Sequence, residues 1–99
     1  MIENLSKEAF AAHAQTDFQI WVEDAPVLSL KLVEVSGPGV ENGQERFALL
    51  FQGPLETPLG QGMQQLKHEQ MGTLDLFLVP VSRERDGMCY EAVFNRLLK

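Results

Sequence analysis

Cys89, His13 and His68 are the residues of this chain whose side chains could carry covalent or acid–base chemistry. A thiolate attacks and an imidazole takes up a proton, so Cys89 with His13 or His68 would be the minimum for a small hydrolase or thiol enzyme. Cys89 lies in an apolar run with the pattern of a strand, however, where a free cysteine behaves as a small inert hydrophobe. Ser29, Ser36 and Ser82 lack the Gly-x-Ser-x-Gly elbow that exposes a nucleophile. His68 and Glu69 are both metal-ligand types, but neighbours along a strand point to opposite faces and do not converge on one ion. Gly60-Gln61-Gly62 lacks the lysine and the strand-to-helix context of a phosphate loop and reads as a turn. Glu23-Asp24 and Glu41 with Glu45 read as solvated turns and loop ends, without the regular oxygen spacing of a calcium loop. No catalytic residue, cofactor or metal is therefore expected. Trp21 stands apart: it falls on the polar face of its strand beside Gln19 and Glu23. A large aromatic there is either a partner-binding group or is covered by a helix or loop.

The elements that must position these residues are mostly strands. Gly72 to Asn95 has the pattern of a β-hairpin. Leu74, Leu76 and Leu78 alternate with Asp75, Phe77 and Val79, and a polar run ending in Asp86-Gly87 leads into Tyr90, Ala92 and Phe94. Phe18, Ile20 and Val22 alternate with polar residues from Asp17 onward. Val27 to Val35 is extended, with Leu28, Leu30 and Leu32 on one face. At Leu32-Val33 the alternation breaks, which predicts a bulge or a bent strand. Arg46 to Gln52 presents Phe47, Leu49 and Phe51 on one face, and Met63 to Glu69 forms a further strand with Gln64, Leu66 and His68 together. Ser36 to Gln44 and Gly53 to Gly62, rich in Gly and Pro, read as loops. At the N-terminus Ser6 can cap a short helix over about residues 6–14, with Leu5 and Phe10 as a hydrophobic staple. The sum is a mainly β single domain over residues 1–99. The preferred architecture is a small, partly closed antiparallel β-barrel of about six strands with a short N-terminal helix, and the alternative is a β-sandwich.

The totals narrow the partners. Ninety-nine residues are enough for one small core. Fourteen acidic against eight basic residues give a net charge of -6, which repels phosphate backbones and anionic lipid surfaces. Neither nucleic acid nor a membrane is an expected partner. One cysteine excludes an internal disulfide and, with an N-terminus unlike a signal peptide, points to the cytoplasm.

The segments FALLFQGP (Phe47 to Pro54), PLGQGMQQLKHEQMGTLDLFLVPV (Pro58 to Val81) and YEAVFN (Tyr90 to Asn95) together resemble a family of small bacterial domains of unknown function. Gln64 stands where that pattern commonly has an aromatic. The resemblance implies a standalone domain of this length and an accessory role beside phage-tail-like or collar proteins, and it brings no site residues with it. The reading preferred on these grounds is a non-enzymatic protein-interaction or assembly module acting on a protein partner or on a second copy, with Trp21 at the contact. Two alternatives stand beside it: the Cys89/His68 enzyme, and a small-molecule carrier with His68 and Tyr90 lining the barrel mouth.

Overall fold

The computed structural model describes residues 6–98, so Leu5 of the expected staple lies outside the described residues. One short helix, α1 (Lys7–Ala11), precedes six strands: β1 (Asp17–Val22), β2 (Ala25–Glu41), β3 (Gln44–Gly53), β4 (Gly62–His68), β5 (Gly72–Glu84) and β6 (Gly87–Leu97). All pairings are antiparallel, and the strands form a closed ring in the order β1-β2-β3-β6-β5-β4. The expected partial closure is thus complete. No helix among the described residues is long and apolar enough to cross a membrane.

Closure depends on two long strands that each serve two neighbours. The first part of β2 pairs with β1 and the rest with β3. The first part of β5 pairs with β4 and the rest with β6. Each has a break in register just after it takes up its second partner, Leu32/Glu34 in β2 and Pro80/Ser82 in β5. An extra residue on one strand bends it and increases its twist, which lets a small sheet turn a corner. The break read from the sequence at Leu32-Val33 is the first of these.

The stretch Ser36 to Gln44, read as a loop, is instead mostly strand: β2 runs on to Glu41 and only Asn42-Gly43 turn. Gly37 and Pro38 sit in a second irregularity, between Ser36 and Gly39, where the missing proline N–H breaks no ladder bond. Gly37 has φ +107, and a Cβ there would lie 2.7 Å from the Phe47 backbone. Both Asn42 (φ 54) and Gly43 (φ 76) have the positive φ of a two-residue hairpin turn whose twist suits the flanking strands. Breakers were therefore absorbed by a bulge and a tight turn, and the strand did not end.

Along the ring the inward positions are those the alternation gave: Phe18 and Ile20, Leu30 and Leu32, Phe47, Leu49 and Phe51, Leu66, the three leucines of β5, Tyr90 and Ala92, all buried. Phe18 meets Phe51 edge to face at 5.4 Å. Val22 departs from the expected face and is exposed, because the register shifts between Ile20 and Trp21. The ends of the ring are closed by different segments. Where β1, β3 and β5 begin, α1 buries Phe10 against Phe47 and Phe94. At the opposite end, residues 54–61 place Leu59 against the core. The helix is shorter than the expected 6–14, because after Ala11 the chain turns to reach β1.

Phe51→Ala is expected to lower unfolding free energy by about 3–5 kcal/mol, whereas Phe77→Ala on the outer face changes it by no more than about 1 kcal/mol. Urea unfolding of the two variants beside the wild type measures both.

Candidate functional site

The polar groups that the fold brings together lie around α1. Five helical residues are too few for a helix to hold by itself, so its ends must be fixed by the rest of the protein. Ser6 accepts a hydrogen bond from the Ala9 amide at 3.1 Å as the N-cap. Glu45 accepts one from the Lys7 amide at 3.2 Å through Oε2, while its Oε1 accepts from Nε and Nη2 of Arg96 at 3.0 and 2.7 Å. Lys7 Nζ donates to the Gly37 carbonyl at 2.6 Å. One carboxylate thus joins α1, β3 and the end of β6. Glu45 was read as a solvated loop end, yet it is 3 % exposed. The signal was present: Glu45 is in phase with Phe47, Leu49 and Phe51, and Gln44 already belongs to β3. The hydrogen-bonded Arg96 guanidinium holds its pKa below the ordinary 4.5; burial acts the other way, and the Lys7 amide and the Arg96 charge add to the lowering.

The turn that follows α1 is held by His68. Its Nδ1 lies 3.0 Å from the Gln70 amide and 3.2 Å from the Met71 amide, both of which donate to it. Its Nε2 lies 2.9 Å from the Thr16 hydroxyl. That hydroxyl donates its own hydrogen to the His13 carbonyl at 2.5 Å, so Nε2 is the donor towards Thr16. The contacts therefore define a neutral ring with hydrogen on Nε2 and none on Nδ1. The ring packs against Phe18 at 4.4 Å and against His13 at 4.8 Å. Burial, chiefly, and then the charge of His13 push the pKa of His68 below 6.5, with Glu69 opposing. A base must have a lone pair facing its substrate, and here the only lone pair is shared by two amides.

The other residues singled out from the sequence are dispersed. Cys89 is buried on β6, opposite Gln52 on β3 and Ser82 on β5, and the contacts of His68 and of the His13 ring do not include it. Tyr90 is buried with its hydroxyl accepting from the Leu59 amide at 2.8 Å, at the end of the ring opposite to His68. The two do not line a common mouth. Glu69 is exposed whereas His68 is buried, and among the described residues no group of three or more His, Cys, Asp or Glu could hold a metal ion. A polar hollow of about 480 Å³ beside His68 is bounded by Asp17, Gln19, Ser29, Lys67 and Glu69.

Trp21 is half-buried on the outer face. Lys67 Nζ lies 3.8 Å from its ring centre, and the indole N–H donates to Gln19 at 3.4 Å. Trp21 faces Gln65 on β4, and two residues along that strand Met63 faces Phe77 on β5. Met63 is 65 % and Phe77 48 % exposed. The outer side of β1, β4 and β5 therefore carries a run of large apolar side chains on which the alternation had put only Trp21 in a conspicuous place.

Fold and contacts define a small β domain, one sheet closed on itself and covered at one end by a pinned helix, with His68 and Tyr90 engaged in structural bonds and Cys89 buried in the sheet. The chain belongs to the family described as Domain of unknown function (DUF6916), whose model matches residues 5–94. No curated protein and no solved structure matches it.

Glu45→Ala removes the carboxylate that accepts from Arg96 and from the Lys7 amide and is expected to cost about 1–3 kcal/mol in urea unfolding at neutral pH. Because the folded pKa of Glu45 is depressed, its contribution is present above 4.5 and lost as pH falls through the lowered value. Glu45→Gln should therefore show a smaller loss of stability than the wild type as pH is taken below 4.5. Cys89 should react with a thiol reagent at the rate at which the protein opens, so that mild urea accelerates labelling and Cys89→Ala retains the native fold.

Proposed function

We propose that this protein is a non-enzymatic interaction or assembly module that meets a protein partner through the outer face of β1, β4 and β5. The observation that carries this reading is the pair Met63 and Phe77, directly opposite each other on adjacent strands and both well exposed, with Trp21 on the same face. Large apolar and aromatic side chains grouped on a rigid surface are the usual anchors of protein contacts. The face is carried by a closed sheet, so a contact made there costs little ordering of the backbone. The net charge of -6 favours a partner that is neutral or basic at the contact. An accessory role beside a phage-tail-like or collar protein, which the sequence resemblance implied, would be one instance of such an assembly. A cytoplasmic home accords with a cysteine kept as a free thiol.

Affinity isolation of the wild type from its native cells, beside Phe77→Ser, Met63→Ser and Trp21→Ala, tests the reading. A stoichiometric partner, or a second copy seen by light scattering, that is lost with Phe77→Ser and Met63→Ser is the expected result. Recovery undiminished in both variants, or a monomer that brings nothing with it, removes that face from the account.

A further inference from the structure

The His68 contacts have an electronic asymmetry that a merely packed histidine would lack. Nδ1 accepts from two backbone amides, of Gln70 and Met71, and Nε2 gives its hydrogen to Thr16, whose own hydrogen is committed to the His13 carbonyl. A proton added to the ring can go only to Nδ1. There it would turn an acceptor into a donor facing two donors about 3 Å away, which is repulsive whatever the ring's surroundings. The ring must then leave its seat, and the Thr16 contact goes with it. Thr16 sits in the joint between α1 and β1, where the Gln15 amide donates to the Leu32 carbonyl and the Leu32 amide to the Thr16 carbonyl.

From this geometry we infer that His68 is an acid-released latch: its protonation frees the joint of residues 12–16 and lifts α1 from the end of the ring, uncovering the stacked Phe47 and Phe94 rings beneath Phe10. The aromatic surface so uncovered is substantial. Phe47 and Phe94 stack at 4.5 Å with 7° between their planes, and Phe10 leans on both. At the other end of α1, Glu45 still holds the Lys7 amide, so the helix swings on a tether and is not shed. Freed from the ring, five residues do not remain helical.

The charged groups around His68 set the direction. His13, in the turn after α1, adds positive charge against the ring when it is protonated, and Lys67 on β4 is positive on the side of the polar hollow. Asp17 on β1 and Glu69 after β4 oppose them from the same hollow, and Ser29 and Gln19 there are neutral. The folded ring binds its proton less readily than a free histidine does, so the closed state is favoured above 6.5 and gives way as pH falls below it.

Hydrogen exchange followed by mass spectrometry between about pH 7.5 and pH 5, with rates corrected for their intrinsic pH dependence, tests the latch on the whole chain. Protection over residues 7–16 should fall about tenfold or more on acidification while the β3–β6 ladder keeps its own. Imidazole ¹⁵N shifts should show the Nε2–H form of His68 at neutral pH and a titration midpoint that coincides with the loss of protection. His68→Asn, whose Oδ1 can accept from Gln70 and Met71 and cannot titrate, should hold α1 closed throughout. Three results overturn the inference: protection over 7–16 that does not change with pH, loss of protection together with β3 and β6, or a pH response that persists in His68→Asn. Should His68→Asn fail to fold, a ring midpoint displaced from the exchange midpoint overturns it equally.

Discussion

A carboxylate pointed at the inside of a closed sheet is the constraint that the arrangement of this domain answers. The alternation of β3 sends Glu45 inward with Phe47, Leu49 and Phe51, and a buried charge without partners is far too costly to keep. Its partners come from two segments distant in sequence, Arg96 near the end of β6 and the first amide of α1. Satisfying one group therefore fixes the last strand of the ring and the helix that covers its end. One side chain thus links three segments of the chain.

His68 does the same with a neutral ring. It lies where β4 turns into β5, and through its two nitrogens it joins that turn to the joint between α1 and β1. Glu45 thus holds the start of a helix too short to be stable by itself, His68 holds the turn that follows it, and Phe10 supplies the apolar contact. The two anchors differ in chemistry. The carboxylate is held in its charged form by a guanidinium, and the imidazole is held in its uncharged form by burial and by donors aimed at its lone pair. Protonation opposes both forms.

The same economy explains why the residues best suited to catalysis are not assembled for it. Each of His68 and Tyr90 completes the bonding of a turn or loop, and Cys89 is enclosed in the wall of the sheet. On the outside of the ring Met63 and Phe77 stay exposed, beside a half-buried Trp21.

Much of the fold was legible in the chain because a strand's two-residue period writes burial directly into sequence. The inward faces of β1 to β6, the bend after Leu32 and the short capped helix all follow from apolar spacing and from Ser6. Two local rules gave way to tertiary ones. Gly37 and Pro38 suggested a loop, but a bulge between β2 and β3 accommodates them, since a missing N–H and a positive φ do no harm where the ladder is already interrupted. Glu45 suggested solvent, but its strand phase prevailed because Arg96 and Lys7 arrive to meet it. The sequence by itself determined which side chains face inward, Val22 excepted, since alternation depends only on neighbours along the chain until a bulge against the next strand interrupts it. Which polar groups meet was decided by the pairing of strands, because Glu45 with Arg96 and His68 with Thr16 are separated by some fifty residues: the first pair meets where β3 lies against β6, the second only when the first strand finds the fourth.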